Sequence, residues 1–155
     1  MPGNLLRQLI ERMINQGDFT AVDELVHPAF RDLDMLPGEP EGTREGLKAI
    51  FAEMRKSFPD LHFEPLQEED VVGDHIWGRY MASGTMTGGP FFDQPATGRS
   101  ARWREIHWVR VDEETGLIIE HFGAGDDLGM LRGLGLQAPL PPALTAGQEN
   151  NPDAR

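Results

Sequence analysis

The chain has 155 residues, 39% of them hydrophobic, with 26 acidic side chains against 14 basic ones, no cysteine and a net charge of −12. That length suits one domain with a real core. The acidic balance excludes nucleic acid and anionic membrane as partners, since both are met by basic surfaces, and lack of cysteine excludes disulfides, thiolate chemistry and cysteine-based zinc sites.

Residues 3–16 read as a short amphipathic helix, because Leu5, Leu6, Leu9, Ile10, Met13 and Ile14 fall on one stripe. Asn4 is placed to cap it and Gly17 to end it. This opening stretch has no long apolar run, so neither a signal peptide nor an anchor is expected, and the expected location is cytoplasmic. A second helix follows at about 20–26, ended by Pro28, and then an extended piece from Phe30 to Met35. LPGEPEG (36–42) is a loop by composition. Thr43 caps a third helix with Leu47, Ile50, Phe51, Met54 and Phe58 at helical spacing, and Pro59 stops it.

From there the pattern turns to strands. One begins at Leu61 and runs irregularly towards Val72; Gly73-Asp74 turns into another, His75 to Thr87, and a Gly/Pro-rich loop (88–98) follows. Residues 101–111 alternate strictly, with Trp103, Glu105, His107, Val109 and Val111 on one face and Arg102, Arg104, Ile106, Trp108 and Arg110 on the other. Three arginines want water, so the first face is the inner one. Trp108 and Ile106 on the outer face read as a sheet-to-sheet contact between subunits. A turn at 112–116 uses Gly116, and the returning strand puts Ile118, Glu120 and Phe122 on one face. On that alternation His107 and His121 point to opposite faces. A brief helix spans about Asp126 to Arg132, and Gly133 to Gly135 close it. The domain is expected over residues 1–139, with a flexible tail over 140–155. Three helices and then an antiparallel meander give an α+β fold, a cone of helices packed on a strongly curved sheet that encloses a pocket.

Five stretches in this order resemble the SnoaL-like polyketide cyclases of the NTF2-like superfamily: GDFTAVDELVHPAF (17–30), GLKAIFAEMRKSFPDLHFE (46–64), GTMTGGPF (84–91), ATGRSARW (96–103) and GLIIEHFGAGDDLGMLRGLG (116–135). The resemblance implies a homo-oligomeric, cofactor-free protein (a dimer or tetramer joined through the sheet face) that binds a small hydrophobic molecule. It also implies ring closure by intramolecular aldol condensation on a polyketide ester. The family's catalytic acid/base is the Asp four positions past the Glu-His-aromatic triplet, which places it at Asp126, and the family histidine that holds or polarises the substrate matches His107. Relatives often have His where Met86 stands and Trp where Phe122 stands, which tilts the pocket towards apolar contacts.

The residues alone leave alternatives. Asp126 could be a base, which needs a raised pKa, or the cap of the last helix, which lowers it. Asp127 could take the cap and leave Asp126 free. His107 could polarise a carbonyl or simply bond Glu105 or Glu120 across the sheet, and those two acids could orient it. Arg79, mid-strand beside Trp77 and Tyr80, has the best claim among the arginines to a ligand contact, and Trp103 is expected to wall the pocket. No metal site is expected, because the five histidines lack ligand spacing. Rival readings are a non-catalytic hydrophobic-ligand binder, an isomerase using Tyr80 as donor, or an epoxide hydrolase using Arg99 or Arg104 with Asp126.

Overall fold

The computed structural model describes residues 4–33, 35 and 41–137. Most of the expected 36–42 loop and the expected tail lie outside them. The N-terminal helix α1 (Leu5–Leu9) widens without a break into a π-helical stretch, Ile10–Asn15. Leu6, Leu9, Ile10, Met13 and Ile14 are all buried, so the apolar stripe does face the core. Asn4 makes no capping bond, whereas Gly17 takes the positive φ expected of it. Asn15 ends the stretch by accepting from Phe63 N (2.7 Å) and donating to Phe63 O (3.0 Å).

Helix α2 (Thr20–Leu25) runs straight into strand β1 (Val26–Asp32), so Pro28 lies inside a strand and not at a helix end. A proline is tolerated there because β1 is the edge of the sheet, and its pairing with its neighbour is interrupted between Val26 and Arg31. Helix α3 (Arg44–Ser57) starts as expected, with Thr43 Oγ1 accepting from Gly46 N at 3.2 Å. Its end is anchored by Phe58, which is fully buried 6.3 Å from the Trp103 ring.

Strands β2 (His62–Pro65), β3 (Asp70–Val72), β4 (His75–Thr85), β5 (Ser100–Val111) and β6 (Ile118–Gly125) complete a curved, open six-stranded sheet in the order β1-β6-β5-β4-β2, with β3 also on β4. The α+β architecture is the expected one. On β4 the inner face is Ile76, Gly78, Tyr80 and Ala82; on β5 it is the face holding Trp103, Glu105, His107, Val109 and Val111. Helix α4 (Asp127–Leu134) closes the chain, with Gly135 left-handed behind it.

The β5–β6 ladder departs from simple alternation. Val109 faces His121 and Arg110 faces Glu120, but Val111 faces Ile118, so β6 carries one extra residue at that end. The bulge turns Ile118 and His121 inward together and sends Glu120 and Phe122 outward.

Candidate functional site

Three elements and one loop form a cleft of about 440 Å³ that opens to solvent on one side. Ile50 and Met54 of α3, Trp103 and Glu105 of β5, Met130 of α4 and Phe91 of the 86–99 loop line most of it. Its walls are mostly apolar, as expected of a site for a hydrophobic small molecule. Of the three acids in its lining, Glu53 and Asp127 are exposed and Glu105 is half-buried: Trp103 Nε1 donates to Glu105 Oε1 at 2.5 Å. Burial pushes the Glu105 carboxyl up to about 7; the Trp103 bond opposes this and the nearby charge of Asp127 adds to it. Gly125 lies directly across the ladder from Glu105. A Cβ there would come within 2.5 Å of Glu105 Oε2, so only glycine leaves the carboxyl its place.

His107 occupies a different space. It borders a void of about 20 Å³ between the sheet and the N-terminal helix, whose walls, His121 apart, are apolar. Its ring is 6% exposed and packs against Phe63 and Tyr80. His107 Nδ1 lies 3.0 Å from His121 Nε2, and His121 Nδ1 lies 2.9 Å from Asp32 Oδ2. The expectation that the two histidines face opposite ways is therefore overturned, and the bulge is the cause. Burial, then repulsion from His121, pushes the His107 imidazole down to about 3.

The other expected site residues are dispersed. Asp126 is exposed and caps α4, its Oδ1 accepting from Gly129 N at 2.9 Å; Asp127, not Asp126, lines the cavity. Asp126 lies instead beside Met81, Arg102 and Arg104. Glu120 is on the outer face, where Arg110 Nε donates to it at 2.8 Å and holds its carboxyl below the usual range. Phe122 is also outside, 5.6 Å from the Trp77 ring and 5.3 Å from that of Trp108. Neither orients His107. Arg79 points outward and donates to Gln67 Oε1 at 3.1 Å. Met86 is fully buried in the core and receives a weak bond from Thr97 Oγ1, away from the cavity lining. The Tyr80 hydroxyl donates to Glu69 Oε1 at 2.8 Å, so it is no free donor.

Sequence reasoning treated Glu105 as a support and overlooked the link from Asp32 to His121. The available signal for the first was its inner-face position two residues from Trp103. The second needed the bulge. Among the described residues no group of three or more His, Asp or Glu side chains is arranged to hold a metal.

The sequence model of the family described as SnoaL-like polyketide cyclase matches residues 4–134. IdmH from Streptomyces antibioticus, a candidate polyketide cyclase, is 29% identical with a TM-score of 0.70, over 88% of this chain and 99% of that one. TsrD from Streptomyces laurentii is also 29% identical, with a TM-score of 0.73 over 86% and 96% of the two chains. AclR from Streptomyces galilaeus, a candidate hydroxylase, shares the fold at 19% identity and a TM-score of 0.69, over 92% of this chain and 88% of that one. No curated protein matches the chain significantly.

Proposed function

The chain belongs to the SnoaL-like polyketide cyclase family, and from that premise we propose that it performs aldol-type acid/base chemistry on a hydrophobic, polyketide-like ester or carbonyl compound, with Glu105 moving the proton. The observation that supports this is a carboxyl raised to about 7 in a mostly apolar cleft of about 440 Å³. Such a group can accept and return a proton near neutral pH. As carboxylate, Glu105 takes a proton from the carbon next to a carbonyl; that C–H bond breaks and its electron pair moves into an enolate. The enolate carbon then bonds to a second carbonyl of the same molecule, and Glu105 gives its proton to the resulting alkoxide. Nothing in this sequence of steps calls for a cofactor. The apolar walls from α3, α4 and Phe91 reduce the contact of water with the enolate.

Glu105→Gln keeps the shape and the Trp103 contact but cannot carry the proton. Turnover of a substrate identified by native mass spectrometry of co-purified material is expected to fall roughly 10²–10⁴-fold, with binding retained. Unchanged turnover would refute the assignment. A non-catalytic binder is the second reading, since a neutral Glu105 could donate to a ligand carbonyl; binding without any turnover by the wild type would favour it. We also propose a homo-oligomer built through the outer face of the sheet, in a cytoplasmic setting.

A further inference from the structure

The two ring nitrogens of His107 live in different surroundings. Nδ1 meets His121 Nε2 at 3.0 Å, while Nε2 is buried and has no hydrogen-bond partner among the described residues. The far end of the chain decides which nitrogen carries the proton. A carboxylate only accepts, so Asp32 Oδ2 takes the bond from His121 Nδ1–H at 2.9 Å. In the tautomer that carries its single proton on Nδ1, His121 has a lone pair at Nε2, and His107 donates to it from Nδ1. That leaves His107 Nε2 with a lone pair and no hydrogen. Burial keeps the ring from carrying a second proton of its own.

We infer that Asp32 and His121 are positioning residues that present His107 Nε2 as a bare hydrogen-bond acceptor, so that the substrate group meeting it is a hydroxyl or enol O–H and not a carbonyl oxygen. This differs from the carbonyl-polarising role that the resemblance implies, which needs a donor at that atom. The adjoining void of about 20 Å³ is the size of a single water or hydroxyl and too small for a ring. When the substrate group is deprotonated, its O–H bond breaks with the electron pair left on oxygen, and the proton goes to His107 Nε2. The Nδ1 proton passes to His121 Nε2, and the positive charge rests on His121 beside Asp32. The substrate clause rests on the proposed enzymatic reading; the tautomer does not.

The test uses the full chain labelled with ¹⁵N-histidine and long-range ¹H–¹⁵N spectra. His107 Nε2 is expected at the position of an unprotonated nitrogen and Nδ1 at that of a protonated one, with scalar coupling across the bond to His121. His121→Phe removes the acceptor and Asp32→Leu removes the anchor; in either variant the His107 proton should move to Nε2, the site an unconstrained imidazole favours. A protonated Nε2 in the wild type, or a bare Nε2 unchanged by both substitutions, would overturn the inference. Should neither variant fold, the wild-type spectrum decides: an unprotonated His107 Nε2 together with a protonated Nδ1 coupled to His121 supports the inference, and a protonated Nε2 or an absent coupling refutes it. These spectra need no substrate and do not involve Glu105, so the two proposals fail separately.

Discussion

Glu105 ties chemistry to pH in two measurable ways. If its carboxylate removes the substrate proton, kcat/KM should rise with pH through about 7 and level off above it. Asp127 contributes part of the upward push, so Asp127→Asn should move that limb to lower pH; a limb that stays put would remove Glu105 from the role. The stability consequence has the opposite sign from that of a paired surface acid. The folded carboxyl holds its proton to about 7, against about 4.5 for an ordinary glutamate, so between those values the native state binds more protons than the unfolded chain. Stability therefore falls as pH rises from about 4.5 to 7, by at most about 3 kcal/mol for the full displacement. Glu105→Gln should remove that loss. In urea titrations the variant is expected to match the wild type at pH 4.5 and exceed it at pH 8, while losing activity, which is a stability–function trade-off at one side chain.

At the level of elements, the outcome turns on where a strand or helix meets its neighbour. Alternation along β5 correctly read every inward and outward side chain from Arg102 to Val111, because a twelve-residue central strand paired on both sides keeps a strict period of two. It failed on β6, where one extra residue opposite the Arg110–Val111 step inverts the faces. Glu120 and Phe122 were thus misplaced outright, and His121 was denied its contact with His107. Nothing in the 117–122 segment announces the bulge; it is a property of the pairing, invisible to one strand alone. Pro28 was misread for a similar reason, since only the sheet order reveals that its strand lies on an edge. The start of α4 was ambiguous in sequence, with two adjacent aspartates competing for the cap, and the fold gives the cap to Asp126. Asp126→Ala should then cost about 1 kcal/mol, or roughly 2–4 °C in Tm, whereas Asp126→Asn still caps and should keep both stability and turnover. Collapse of activity in the Asn variant with an unchanged melting curve would restore the catalytic role that the family pattern implies. Gly125→Ala makes the converse case: its Cβ displaces the Glu105 carboxyl and leaves the cap intact, so activity should drop and the limb near pH 7 should shift.

At the scale of the whole molecule, the outer face of the sheet is the feature the fold leaves unexplained. Trp77, Trp108 and Phe122 form a mutual ring cluster there, and Trp77 and Ile106 are 39% and 41% exposed. Apolar surface of this kind on a small acidic chain is where a partner is expected. A second copy fits best, because the same face also carries Arg79, Arg102 and Arg104, which locally offset a net charge of −12 that would otherwise drive two copies apart. Two identical faces meeting about a twofold axis would place each Trp77 near the aromatic cluster of the other copy. Sedimentation velocity of the wild type should show a dimer, or a tetramer built from it, and Trp77→Glu or Ile106→Glu should yield monomers with unchanged circular dichroism. Salt separates the sources of the attraction. If apolar contact holds the pair against repulsion between two acidic subunits, raising the ionic strength screens the repulsion and tightens association. A dimer that loosens as salt is added would instead be held by ion pairs across the interface, and the aromatic face would not be its basis.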